Sequence, residues 1–277
     1  MRGFAAKHWL RFAGITFGLL AAVCLLAVTG EANTNGWEEL FFRANQAYKG
    51  GRFQEAIDGY GRLLDSGHEN GHLYYNLGNA HFRLNQIGQA ILNYERAHRL
   101  MPRDADLNFN LGYARDQTQD AISQPKGLIE TTFFWLYTIT LHEVFWGFAV
   151  VNLLFWAVLL VRLFRPSEWT YYASLILLVL WLIGGTSLGV KYFQELTDDR
   201  AVILAKEVDV LAGPDTQDTL LFKLHEGAVV HMERSEDGWS LVSLPDNKRG
   251  WVKMEALEKI NHVTSAEERA IDSRLKA

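Results

Sequence analysis

Apolar residues between positions 73 and 102 recur at three- and four-residue steps, the spacing that places side chains on one helix face. Tyr74, Leu77, Gly78 and His81 share a face of one predicted helix, and Ile87, Ala90, Ile91, Tyr94, Ala97 and Leu100 share a face of a second. Asn85-Gln86 supplies the turn between them, and Pro102 ends the second helix because proline has no N–H for the ladder. Gly78, Ala90 and Ala97 stand where the two helices must approach closely. Further along, the pattern changes twice. Residues 144–164 and 169–190 are almost continuously apolar. Residues 200–260 break into short β-rich runs separated by turn signals.

A helical hairpin cannot bury its apolar face alone, and its neighbour is found one repeat length earlier, at a period of about 34. Ala44 answers Gly78, Ala56 answers Ala90, and Tyr60 answers Tyr94. Asp104 is placed to cap one further helix over 105–116, with Leu107, Leu111 and Ala114 on one face. The period and the Leu-Gly…Ala…Tyr…Ala…Pro pattern resemble the tetratricopeptide repeat (TPR). The region spans 37–118, as hairpins 37–70 and 71–104 and the terminal helix 105–116. The first copy is degenerate: Arg43 replaces Leu77, Leu63 replaces Ala97, and the proline is missing.

Each apolar run covers about 30 Å as a helix, the hydrocarbon thickness of a bilayer. Both are therefore predicted to span a membrane, with residues 165–168 as the connection. Residues 119–127 read as a linker. The aromatic-rich segment 128–141 reads as an interfacial amphipathic helix. Residues 1–32 carry Arg2, Lys7 and Arg11, an apolar run from Phe12 to Val28, and small residues at Gly30 and Ala32. That is the layout of a secretory signal peptide or of a retained single-span anchor. Arg162 and Arg165 flank the connection, so it is expected on the cytoplasmic side, as is the N-terminal cluster. Parity then places both the repeats and the C-terminal segment outside, in the periplasm of a Gram-negative cell.

In residues 200–260 strands are predicted at Ala201–Ala205, Val208–Leu211, Leu220–Leu224, Val229–Arg234, Trp239–Leu244 and Gly250–Lys253. Close spacing of short strands predicts a small all-β barrel. Val208-Asp209-Val210, Gly213-Pro214, Gly238-Trp239 and Gly250-Trp251-Val252 resemble the bacterial SH3 (SH3b) domain. Trp251 is expected in the core and Trp239 nearer the surface, as a candidate for the ligand face. Residues 261–277 form a polar tail.

The formal net charge of -5 gives no sign of nucleic-acid binding. The single cysteine, Cys24, excludes an internal disulfide and a cysteine-based zinc site. His142-Glu143 lacks the second histidine of a zinc-protease helix. His68 and His72 stand among glycines rather than on one helix face. No metal site, cofactor or enzyme activity is expected. In a stack of hairpins the first helices line the concave side. The repeat shift pairs Phe41 with Tyr75, Asn45 with Asn79, Tyr48 with Phe82 and Lys49 with Arg83. Aromatics, amides and cations at repeated spacing suit an extended peptide.

The order of export signal, TPR hairpins, membrane hairpin and SH3b domain resembles BatE-like proteins of the aerotolerance-operon (Bat) group. The residues carrying it are Tyr75-Asn76-Leu77-Gly78-Asn79, Ala90-Ile91, Tyr94-Glu95-Arg96-Ala97, Leu100, Pro102-Arg103-Asp104 and Asn110-Leu111. The resemblance implies a multi-pass protein of the inner membrane that assembles with von Willebrand-type (VWA) and other membrane partners. A non-enzymatic scaffold with an outward TPR groove is the leading expectation. The alternative is an envelope sensor or anchor whose SH3b domain binds peptidoglycan or another cell-wall ligand.

Overall fold

The computed structural model describes residues 35–120 and 134–261. The readings of 1–32 as a signal or anchor, of most of the linker, and of the tail beyond 261 lie outside these residues. Five helices come first: α1 (Asn35–Lys49), α2 (Phe53–Asp65), α3 (Gly71–Arg83), α4 (Ile87–Leu100) and α5 (Ala105–Asp116). Their ends follow local chemistry. Asn70 caps α3 by accepting from the Leu73 N–H at 2.8 Å, and Asp104 caps α5 through the Leu107 N–H at 2.8 Å. The turn between α3 and α4 places Asn85 at φ 58, a left-handed conformation that asparagine tolerates. Gly78 lets α4 approach: a Cβ there would lie 2.6 Å from the Tyr94 ring. Ala44, Ala56, Tyr60, Leu63, Leu73 and Leu77 form one core across the first three helices.

Two long helices follow, α6 (Leu141–Phe164) and α7 (Glu168–Leu196), packed as a hairpin. Each opens with a capping box, Thr140 with Glu143 and Ser167 with Thr170. Both are long and apolar enough to cross a membrane, and almost none of their apolar surface is buried within the protein. A core helix of a soluble protein would bury its stripe, so this exposure matches an apolar solvent. Inside the hairpin, Asn152 Oδ1 accepts from Trp181 at 2.9 Å and from Trp156 at 3.2 Å, which satisfies the polar group midway along α6. The described part of 128–141 is not the amphipathic α-helix expected from its aromatic content. Residues 128–133 lie outside the described part, and the rest is a 3₁₀ turn (Phe134–Tyr137) followed by the Thr140 cap. Leu136 in that turn is fully buried, and its carbonyl accepts from Lys191 Nζ at 2.8 Å.

The C-terminal domain is one seven-stranded antiparallel sheet. Its strands are β1 (Arg200–Ile203), β2 (Glu207–Leu211), β3 (Leu220–His225), β4 (Val229–Glu236), β5 (Trp239–Ser243), β6 (Arg249–Lys253) and β7 (Leu257–Lys259). The order is β3-β2-β6-β5-β4-β1-β7. Leu224 on one edge strand and Leu257 on the other share a single core, so the sheet curls. It is not the closed barrel that the strand spacing suggests, because β3 and β7 are not hydrogen-bonded to each other. Arg96 of α4 occupies the end of β7 instead, donating from Nη2 to the Lys259 carbonyl at 2.8 Å and from Nε to the Ile260 carbonyl at 3.3 Å.

That contact belongs to a seam between α4 and the sheet. Ile91, Leu92 and Ala97 share a core with Val202, Val229 and Ile260. Gly88 donates its N–H to Glu226 at 2.8 Å, and Arg96 pairs with Glu258 at 2.7 Å. Asp120, just beyond α5, accepts from the His225 N–H at 2.6 Å. Under the seam the Glu95 carboxylate, 2% exposed, pairs with both Arg115 and Arg200. Burial works against the charge on Arg200, but its bonds to Asp198 and its attraction to Glu95 outweigh this and raise its pKa. Two ion pairs tie the helical stack to the long-helix hairpin, Arg99 with Glu195 and Arg103 with Glu143. The stack and the sheet therefore sit at the same end of α6 and α7, away from the 165–167 connection.

Candidate functional site

Helices α1, α3 and α5 are the first helices of successive hairpins. They are joined by a hydrogen-bond unit that recurs with the period of the sequence repeat. Tyr60 donates its hydroxyl to Asn45 Oδ1 at 2.7 Å, and Asn76 donates its amide to the same oxygen at 3.2 Å. One repeat on, Tyr94 donates to Asn79 Oδ1 at 2.7 Å and Asn110 donates to it at 3.0 Å. Asn110 also donates to the Tyr75 hydroxyl at 3.0 Å. Each hub asparagine, Asn45 and Asn79, thus joins two first helices and one second helix. Burial lifts the phenols of Tyr60 and Tyr94 above their ordinary range, so both stay protonated as donors.

The hub roles revise the reading of Asn45 and Asn79. Their carbonyl oxygens are committed to the fold, and Asn79 also hydrogen-bonds the Tyr75 phenol, so both side chains serve the stack before any incoming peptide. The aromatics divide in the same way. Phe41 packs against Tyr60 at 6.1 Å between ring centroids, Tyr75 against Tyr94 at 6.1 Å, and Tyr48 edge-on to Phe53 at 5.4 Å. Phe41, Tyr75 and Tyr48 are half-buried and hold helices together as well as lining the face. Arg83 is exposed and stacks its guanidinium over Phe53 at 4.7 Å. Lys49 is exposed at the end of α1. Phe82 is half-buried and touches Tyr113 of α5 at 5.7 Å.

Helix α5 extends this face with two residues that the pairing of two hairpins leaves out. Phe109 is 72% exposed and Tyr113 is 51% exposed, and their rings stack with planes 5° apart. Phe109 stands one repeat length after Tyr75, and Tyr113 one repeat length after Asn79. Applying the shift once more to the sequence therefore finds both. Phe41, Tyr75 and Phe109 hold equivalent positions on successive first helices, a column of aromatic positions whose α5 member is exposed.

The periodic hub is the geometry of a helical-hairpin repeat. Residues 78–118 match the TPR repeat family. Residues 205–259 match the bacterial SH3 domain. No curated protein matches the chain. Within the SH3 domain, Trp251 is buried and Arg234 stacks over its ring at 5.0 Å, while Trp239 is half-buried at the tip of the β4–β5 hairpin. Among the described residues no group of His, Cys, Asp or Glu is arranged to hold a metal. Glu143 serves the Thr140 capping box and pairs with Arg103.

The hub carries a prediction about stability. In Tyr94→Phe the Asn79 oxygen loses one of two donors in a partly buried site, a loss of about 1–2 kcal/mol. Chemical denaturation of the full chain in detergent should show it. Tyr60→Phe should cost a similar amount, because it removes the matching bond one repeat earlier.

Proposed function

We propose that this chain is a non-enzymatic, membrane-anchored scaffold whose TPR face captures an extended segment of a protein partner. The observation that carries the reading is the column of aromatic positions ending in the stacked, solvent-facing Phe109 and Tyr113, beside exposed Lys49 and Arg83. Rigid aromatics give contact area at low entropy cost, and cations at the rim meet a carboxylate. The SH3 domain packs on α4 and leaves Phe109 and Tyr113 exposed. In the proposed setting α6 and α7 cross the inner membrane, Arg162 and Arg165 lie inside, and both folded domains lie in the periplasm. A Bat-type complex with a VWA-type membrane protein is the proposed assembly; the order of domains in the chain supports it.

A pull-down from solubilised membranes tests the face. Phe109→Ala with Tyr113→Ala should remove most of the co-purifying partner, and Lys49→Ala with Arg83→Ala should weaken recovery in a salt-dependent way. These positions avoid the structural asparagines, so a lost partner is not a lost fold. Undiminished recovery from the aromatic double variant would end the groove reading. Topology is tested separately by reporter fusions, outside at Gln117 and inside at Pro166.

A second reading rests on the SH3 domain. Trp239 and the exposed Met254 lie away from the seam, on a domain type associated with cell-wall ligands. Co-sedimentation of the full chain in detergent with purified peptidoglycan, and its loss in Trp239→Ala, is the expected result of that reading.

A further inference from the structure

An apolar groove of about 1050 Å³ opens where the α6–α7 hairpin meets the helical stack. Its walls include Phe148 of α6 and Gly185, Leu188 and Gly189 of α7, and the end of α4 contributes Arg99 and Leu100. Gly189 has no atom within 4 Å of where its Cβ would be, so at that point the α7 backbone itself is the floor. The groove lies at the end of α6 and α7 that carries the folded domains. If the two helices span a bilayer, as proposed above, it lies within the outer half of the hydrocarbon layer.

We propose that the occupant of this groove is the chain's own N-terminal apolar segment, Phe12–Val28, retained as a third spanning helix. Three observations select it over a foreign partner. First, the run begins after Arg2, Lys7 and Arg11, which fixes its start on the side of Arg162 and Arg165. The outer end of the proposed helix is then Val28, which the proposal sets at the mouth of the groove. Second, the described chain resumes at the correct place. Trp37, at the start of α1, packs on His68 at 5.4 Å, and Gly71, just beyond His68, lies against Met101 at the end of α4. The start of α1 is thus on the membrane-facing end of the stack, the end that Arg99 and Arg103 tie to the hairpin.

Third, the length fits. Asn76 bonds directly to Asn45, so α1 touches α3, and α3 packs on α4. Two helix-to-helix steps of about 8–10 Å separate α1 from the groove. An extended chain running from Val28 to Asn35 covers roughly 25 Å, enough for that gap. A helix seated against Gly185 and Gly189 approaches closely, and close packing is what drives association where lipid is as apolar as the side chains.

The chain's single cysteine is the probe. In the proposed helix Cys24 stands one turn before Val28, which would set it at the depth of Gly185 to Gly189 in the opposing helix. The experiment uses the full chain in native membranes with Leu188→Cys in the groove wall, and Thr186→Cys, at the same depth but outside the groove, as control. After mild oxidation the unreduced digest is read by mass spectrometry, and the N-terminus of the purified protein is sequenced. The expected result is an intact N-terminal segment and a disulfide within one chain between Cys24 and the thiol introduced by Leu188→Cys. Its yield should be several times that of the Thr186→Cys control. A mature N-terminus beyond Val28 overturns the proposal and makes residues 1–32 a cleaved signal. Equal yields from both positions, or none from either, also overturn it and leave the groove to lipid acyl chains. A disulfide found only between two chains overturns it too and assigns the groove to a second copy. Reporter fusions that place Pro166 outside would defeat the membrane reading itself, which this experiment does not touch.

Discussion

Glu95→Ala is expected to destabilise the protein by about 3 kcal/mol, one of the two largest effects of a single side-chain change. The Glu95 carboxylate is 2% exposed and lies between Arg115 and Arg200. Removing one partner of a buried ion pair costs about 3–5 kcal/mol, because the remaining charge is stranded. Arg115 is half-exposed and Arg200 about a quarter exposed, so both recover some hydration, which sets the loss at the lower end. The effect should appear in urea unfolding of the full chain in detergent. It should also expose the α5–β1 side of the seam to proteolysis, since Arg200 opens β1. Glu95→Gln keeps the shape but not the charge and should lose nearly as much. A change under about 0.5 kcal/mol would mean that the two arginines resolvate freely and that the seam is held by apolar contact alone.

The second large effect is expected at Gly227, where two independent penalties coincide. Its φ is +89, a conformation in which a side chain costs about 1–2 kcal/mol. A Cβ there would also lie 2.6 Å from Thr118 Cγ2 and 2.8 Å from Ile91 Cδ1, both across the seam. Forcing a methyl into packed structure costs about 1–3 kcal/mol more. Gly227→Ala should therefore lose roughly 2–5 kcal/mol, and the domains should part more readily. Gly238 is the internal control. Its φ is +81, but nothing lies within 4 Å of its Cβ position, so Gly238→Ala carries the backbone penalty alone. Equal unfolding midpoints for the two variants would show that the seam yields without cost.

Much of the architecture is readable from local pattern. Asp104 and the spacing of Leu107, Leu111 and Ala114 give α5 its observed bounds, because capping and helix periodicity are local. The apolar runs give both long helices, although α7 continues past residue 190 to Leu196 on polar residues that contact the stack. Six strands are legible from alternation and turns. Strand β7, Leu257–Lys259, is not: so short a strand carries no period, and it exists because β1 accepts it as a partner. The candidate face is only partly legible. The repeat finds Asn45 and Asn79, but only the packing shows that their oxygens serve Tyr60 and Tyr94. Phe109 and Tyr113 are within reach of the same arithmetic, carried one repeat further.

Local sequence is enough for the repeating hairpins, the pair of long apolar helices and the β-rich C-terminal domain. Each follows from interactions between residues close in the chain, or from an apolar run long enough to cross a membrane. The docking of the SH3 domain on α4 exists only in the tertiary structure. Nothing local to Glu95, Arg96 and Arg99 separates them from polar residues on an open helix face. They are covered by Arg200, Glu258 and Asn261, partners from the far end of the chain. A charge buried against its complement has the same local pattern as a charge in water, and only the distant partner tells them apart.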